Sequence, residues 1–308
     1  MGRIRVTHFT DPGCPWAWSA TPALTALRWR YGHQLEWRHV MIGLAEEGTE
    51  YEERGYTPLW MATTHLTFRR WGMPFSPVPK PHVAGTGRAC RALIAARRVA
   101  PGREWDALRA LQFLQFCTPE MLDDPDAIRR ALGIEVDTED PEVWAQYERE
   151  RAEARSAEGT PAEAQGKTAS YGGPERYTAP SLTFERDGQR LVAGGWQPLA
   201  AYDVLLANLD PRLERRPAPE DLAPLLAEFS HGLTAAEVAA VMAAAPGGEP
   251  DRVAAEKGLL ELVALGLALR VPVGDDALWL PAHADGRGPD GRFAAASRLA
   301  GTWLPSGM

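Results

Sequence analysis

The residues best suited to chemistry are three cysteines, at positions 14, 90 and 117. They are odd in number and widely spaced, so they do not make a disulfide framework. None sits with histidine at metal-ligand spacing, so no metal site is expected. A lone thiol in a reducing compartment is either packed in a core or used as a nucleophile. Cys14 stands apart by its context. Residues 4–10 alternate, with Ile4, Val6 and His8 on one face and Arg5, Thr7 and Phe9 on the other, the period of a strand. Asp11-Pro12-Gly13 breaks that strand, and Pro15 suits the first turn of a helix, where its missing N–H costs nothing. A thiol at such a junction faces the unpaired amides of Trp16 and Ala17 and the positive end of the helix dipole. Both favour thiolate, so the pKa of Cys14 is expected to fall below the free-cysteine value. The competing reading is a buried cysteine that only packs.

The residue three beyond Cys14 is Ala17, so no disulfide can close within this motif. Either an external thiol resolves a mixed disulfide at Cys14, or its thiolate helps to hold a low-molecular-weight thiol; Cys90 and Cys117 could in principle act as resolving thiols. Cys90 with Ile94, and Cys117 with Phe113, stand at i and i+4 on apolar helix faces, which reads as core packing. His8, His39, His65 and His82 are read as structural. The Glu and Arg run from Glu148 to Arg155 reads as a solvated helix face.

The elements that must position the thiol follow from periodicity. From Pro15 to about Tyr31 a helix carries Ala20, Leu24, Leu27 and Tyr31 on one face, and Pro22 must kink it. Leu35, Trp37, His39 and Met41 mark a second strand, completing a βαβ unit. Residues 50–165 show no convincing strand, only helical runs near 58–71, 84–98, 104–116, 125–132 and 142–157. Strands at 181–186 and 190–193 flank an Asp187-Gly188 turn, and Pro198 opens a helix with Leu199, Tyr202, Leu206 and Leu209 on one face. Residues 211–218, rich in Arg and Pro, read as a linker. Helices near 219–229, 234–242 and 251–267 and strands near 269–273 and 277–281 then suggest a winged-helix-like unit. Residues 284–292 read as a loop.

Composition limits the partners. With 308 residues, 45% hydrophobic and 24% charged, the chain can bury a large core without staples. Its net charge of −8 opposes binding to nucleic acid or an anionic membrane. From Ala218 onwards six Lys and Arg face twelve Asp and Glu, so no nucleic acid is expected on the C-terminal unit either, and a protein partner or homo-oligomer contact fits it better. The start reads straight into a strand with no apolar leader, and no stretch approaches about 18 uninterrupted apolar residues. A cytoplasmic protein without membrane contact is the expectation.

Taken together, Asp11-Pro12-Gly13-Cys14-Pro15-Trp16-Ala17-Trp18 and Thr178-Ala179-Pro180-Ser181, set in a βαβ, helical, ββα order, resemble the DsbA-like branch of the thioredoxin superfamily. Gly72-Met73-Pro74-Phe75 and Ala89-Cys90-Arg91 resemble landmarks of that branch's helical insert more loosely. The groups it looks most like are FrnE-like oxidoreductases, kappa-class glutathione transferases and 2-hydroxychromene-2-carboxylate isomerases. The resemblance implies an α/β thioredoxin-like fold over 1–49 and 166–210, with a helical insertion at 50–165. The linker at 211–218 and a winged-helix-like domain at 219–308 would follow. It also implies a cis bond before Pro180, Cys14 as the catalytic residue, and Asp11, Pro15, Trp16, Ala17, Thr178, Ala179 and Pro180 as the substrate- or thiol-binding surface.

No bound cofactor is implied, only a low-molecular-weight thiol as cosubstrate. The function expected first is a monothiol thiol–disulfide oxidoreductase. The alternatives are a thiol-dependent transferase or isomerase of small organic substrates, and a non-catalytic ligand- or protein-binding module. Of Trp16 and Trp18, one is expected to line the site and the other to pack in the core.

Overall fold

The computed structural model describes residues 2–171, 173–243 and 248–282. The loop expected at 284–292 lies outside the described residues. The chain begins β1 (Ile4–Thr10), α1 (Pro15–Ser19), α2 (Thr21–Tyr31) and β2 (Leu35–Met41). Seven helices follow: α3 (Gly48–Glu52), α4 (Pro58–Phe68), α5 (Gly87–Val99), α6 (Glu104–Cys117), α7 (Pro125–Leu132), α8 (Pro141–Ala154) and α9 (Pro161–Ala164). A short ladder of β3 (Thr168–Ala169) and β4 (Arg176–Tyr177) leads to β5 (Ser181–Arg186), β6 (Gln189–Ala193) and α10 (Leu199–Leu209). No helix among the described residues is long and apolar enough to cross a membrane.

The main sheet runs β2-β1-β5-β6, with β2 parallel to β1 and β5 and β6 antiparallel. This is the thioredoxin arrangement, and the helices α3 to α9 enter between its two halves. Only Arg5 of β1 is exposed, because helices cover both faces of the sheet. The helix expected from Pro15 to Tyr31 is two helices meeting at Ala20. Pro22 has no N–H and its ring crowds the carbonyl four residues back, so the break falls just ahead of it. The run Glu148–Arg155 is not wholly solvated, which corrects the sequence expectation. Glu150 is fully buried, accepting from the Met41 amide at 2.9 Å and from Arg97 Nη1 at 2.6 Å.

The remaining elements are α11 (Leu222–Glu228), β7 (Leu233–Thr234), α12 (Ala235–Met242), α13 (Arg252–Ala264), β8 (Ala268–Val273) and β9 (Asp276–Pro281). The hairpin expected here gains a third strand. Two-residue β7, too short to show periodicity, pairs Leu233 with Trp279 and Thr234 with Leu278.

This unit shares its core with the rest of the chain. Ala26 and Trp29 of α2 pack with Leu225, Val238, Leu259 and Trp279. Trp18, Phe75 and Phe116 pack with Ala236, Val273 and Leu278. The segment 211–218 is tied down as well: the Trp29 indole donates to Pro217 O at 2.9 Å and the Arg216 guanidinium lies 3.3 Å from the Trp29 ring centre.

An ion pair is sealed in this seam. Arg109 of α6 donates to both oxygens of Glu237 on α12, at 2.7 and 2.9 Å, and Thr25 of α2 adds a third bond at 2.8 Å. Glu237 also closes the capping box of α12 with Thr234. Arg109→Leu leaves this carboxylate buried and short of donors. In urea unfolding it is expected to cost about 3–5 kcal/mol, and adding Glu237→Gln should restore part of that loss.

Candidate active site

Cys14 caps α1 in an extended conformation (φ −86°, ψ 115°), its N–H bonded to Asp11 O at 3.1 Å. Its Sγ donates to the carbonyl of Ala179 at 3.3 Å. The Ala179–Pro180 peptide is cis. The thiol therefore meets the β4–β5 turn across a sequence separation of 165 residues. Asp11 has no exposed surface; its Oδ1 accepts from the Gly13 amide at 2.8 Å and its Oδ2 from the Leu44 amide and Thr86 Oγ1, each at 2.9 Å. Burial raises the Asp11 pKa and these donors oppose the rise. Gly13 is required here, since a Cβ would stand 2.4 Å from Thr86 Cγ2.

The thiol does not titrate as its place at a helix start suggests. Burial pushes Cys14 up to about 12, and the Asp11 carboxyl adds to the rise. The amides of Ala17 and Trp16 and the charge of Arg176 pull the other way without prevailing. The expectation of a lowered pKa is corrected accordingly. Cys14 is 6% exposed, and it shares a buried cluster with Phe9, Ala17, Tyr177 and Ala179 that withholds water from the ionised sulfur.

The other expected site residues are distributed as follows. Pro15 is half-buried and Ala17 buried in the first turn beneath the thiol. Trp16 is 40% exposed, edge-on to Phe68 at 4.9 Å, and forms an outer wall. Trp18 is fully buried, its indole donating to Pro74 O at 2.9 Å. Thr178 turns its hydroxyl to Lys167 O at 2.9 Å, away from Cys14. Cys90 is buried with its sulfur 3.5 Å from Asp11 Oδ2, and Cys117 is buried against Pro74 O at 3.4 Å. His8 and His39 pack ring against ring at 5.4 Å, and His65 rests on Phe75 and Phe116. His82 reaches Asp123 at 3.2 Å.

Several groups around the thiol are not legible in the sequence. Arg176 is half-buried, gives Nη1 to Tyr177 O at 3.1 Å, and interacts electrostatically with Cys14, Asp11 and Tyr51. The Tyr51 hydroxyl, raised by burial, also senses Asp11 and Cys14. Arg54 lies over the rings of Tyr171, at 3.2 Å, and Tyr51, at 5.4 Å. These residues come from segments near 51–54 and 171–176 that carry no periodic signal; only the folded chain joins them. Arg176 and Tyr51 thus act on a protonated thiol, and Arg54, paired with Glu50 at 3.7 Å, joins Tyr51 to Tyr171 beyond them.

The strand order, the thiol at the first strand-to-helix junction and the cis proline opposite it define a thioredoxin-like protein. No family model and no curated protein matches the sequence. Among solved structures, the chain is similar to a protein provisionally described as a protein disulfide isomerase from Nitrosomonas europaea, at 19% identity and TM-score 0.49, covering 67% of this chain and 97% of that one. It is similar to cytosolic disulfide reductase DsbM from Pseudomonas aeruginosa, at 18% identity and TM-score 0.47, covering 66% of this chain and 99% of that one. DsbM has also been solved with GSH. A 2-hydroxychromene-2-carboxylate isomerase is similar at 16% identity and TM-score 0.39, covering 67% of this chain and 95% of that one.

The electrostatics set the reactivity of the thiols. Iodoacetamide should alkylate Cys14 at about pH 7.5 at least about tenfold more slowly than free cysteine, with a rate still climbing above about pH 10. Cys90 and Cys117, with their thiols pushed well above the usual range, should react more slowly still. A rate profile for Cys14 that levels off below about pH 8, read by peptide mass, would contradict this.

Proposed function

We propose that the protein is a monothiol thiol–disulfide oxidoreductase in which Cys14 works with a low-molecular-weight thiol. The observation that carries the proposal is the contact of Cys14 Sγ with Ala179 O, 3.3 Å, beside the cis peptide to Pro180. That geometry sets a disulfide-bonded adduct of Cys14 alongside an extended backbone edge. Position 17 holds alanine, so an external thiol must resolve the adduct. The cations Arg54 and Arg176 suit a thiol that carries carboxylates, as glutathione does.

In the first step Cys14–SH and R–S–S–G exchange to give Cys14–S–S–G and R–SH, the departing sulfur taking up the proton that Cys14 loses. In the second, G–SH attacks the glutathione sulfur of Cys14–S–S–G, forming G–S–S–G and expelling the Cys14 sulfur, which takes up the proton to regenerate Cys14–SH. The sum is R–S–S–G + G–SH giving R–SH + G–S–S–G, so one external thiol is consumed and the other half of the product disulfide comes from the substrate.

One observation favours the second reading, a thiol-dependent transferase or isomerase of small organic substrates. A thiol held up to about 12 is a hydrogen-bond donor at neutral pH, able to orient a cosubstrate sulfur without changing oxidation state. The C-terminal unit, in the order helix, strand, helix, helix, strand, strand, is read as a winged-helix-like module that meets protein rather than nucleic acid, in keeping with its acidic charge.

Glutathione disulfide separates the readings. The oxidoreductase should acquire one glutathione adduct, at Cys14, which excess glutathione removes and Cys14→Ser abolishes. Arg176→Ala should raise the KM for glutathione about fivefold or more while changing kcat little. Full protection of Cys14 from the disulfide, with glutathione still bound, would favour the transferase reading.

A further inference from the structure

Away from Cys14, a cavity of about 490 Å³ lies between the thioredoxin-like part and the C-terminal unit, a volume typical of small-molecule sites. We propose that this cleft binds a small, planar, hydrophobic anion.

Its walls are aromatic and its floor apolar. Trp71 and Trp196 meet at 4.3 Å between ring centres, and Ala236 of α12 closes the base. The close approach is built in: Gly72 has φ +87°, and a Cβ there would stand 2.9 Å from that of Ala236. Three polar atoms on this lining are buried and have no hydrogen-bond partner among the described residues: Ser19 Oγ, Trp71 Nε1 and Trp196 Nε1. Indole N–H groups only donate, so an occupant that reaches them on a small shift of the walls has to bring acceptor oxygens. Ser19 is 3% exposed, so bulk water does not serve it.

Charge selects among acceptors. Arg70 lies over the Trp71 ring at 4.9 Å and has no carboxylate partner among the described residues. Arg252, the other cation of the lining, is already paired with Asp276 at 2.8 Å, while Glu249 is the one acid there. The free cation is thus the one stacked on the aromatic wall, which suits a ring system bearing a sulfonate or carboxylate. Trp16 stands 6.3 Å from Trp71, so an aromatic layer parts the cleft from the thiol. The inference does not depend on the redox reading of Cys14.

The test titrates the full chain with 1-anilinonaphthalene-8-sulfonate, following probe and tryptophan fluorescence. One-to-one saturation with Kd below about 100 μM is expected. The uncharged N-phenyl-1-naphthylamine should bind at least about tenfold more weakly, and Arg70→Ala should weaken the anion about tenfold with Arg70→Lys retaining most of the binding. Ala200→Trp, on the half-buried wall, should abolish binding at an unchanged Tm; Ala23→Phe serves if that variant unfolds. Absence of saturable binding below about 1 mM, or binding that survives a folded cleft-filling variant, overturns the site. Equal affinity for the neutral probe overturns its preference for anions.

Discussion

A carboxylate with no exposed surface ends the first strand, and the geometry around the thiol depends on it. Isolated burial of Asp11 would cost many kcal/mol, so the charge persists only where donors surround it. Those donors come from three separate stretches of chain: the Gly13 amide, the Leu44 amide, and Thr86 with Cys90 at the start of α5. One side chain therefore fixes the turn into α1, the exit from β2 and the return of the helical insertion. Cys14 is held by the same turn, through its own amide on Asp11 O. The contact with Ala179, just ahead of the neighbouring strand β5, then closes the arrangement.

The same logic of buried charge joins the C-terminal unit to the rest. Arg109 and Glu237 are 2% and 0% exposed at the side chain, so each depends on the other and neither tolerates separation of the units. Apolar packing on both sides of the pair carries the attachment, and the ion pair fixes its register. The cleft beside Trp71 and Trp196 exists because of this docking: its floor is α12 and its walls come from the thioredoxin-like half and the insertion.

Local chemistry made much of the fold legible. Period-2 alternation marked β1 and β2, Asp124-Pro125 and Gly133 bounded α7, and Asp187-Gly188, at φ 51° and 80°, makes the tight turn between β5 and β6. The place of Cys14 at a strand-to-helix junction was also legible, from the strand-breaking Asp-Pro-Gly before it. What stayed hidden depends on contacts far apart in sequence. Arg176 and Tyr51 lie some 120 residues apart, in a two-residue strand and a five-residue helix too short to show a period, and their common neighbour is visible only in three dimensions. Glu150 lies in a run of charges that looks solvated, yet it faces β2 and Arg97. Thr178 was placed at the site by the resemblance of Thr178-Ala179-Pro180-Ser181 to a family loop, and what the sequence does not show is that its hydroxyl donates to the backbone of Lys167.

Cys14 shows why a sequence argument can place a residue at its junction and misjudge its protonation state. The junction supplies two amides and the start of a helix, effects worth about 0.3–1 kcal/mol each at the usual scale. Helix α1 is only five residues long, so its dipole is weak. Against this stands desolvation, which together with the Asp11 charge lifts the thiol from 9.0 to about 12, roughly 4 kcal/mol at 1.36 kcal/mol per unit. That rise is what remains after the amides and Arg176 have opposed it. The sequence displays the amides and the dipole because they are local, whereas Phe9, Tyr177 and Ala179, which exclude the water, are supplied by folding. A sulfur in this setting is neutral until something displaces those neighbours or brings compensating charge. Arg176 is the cation whose charge already opposes the rise.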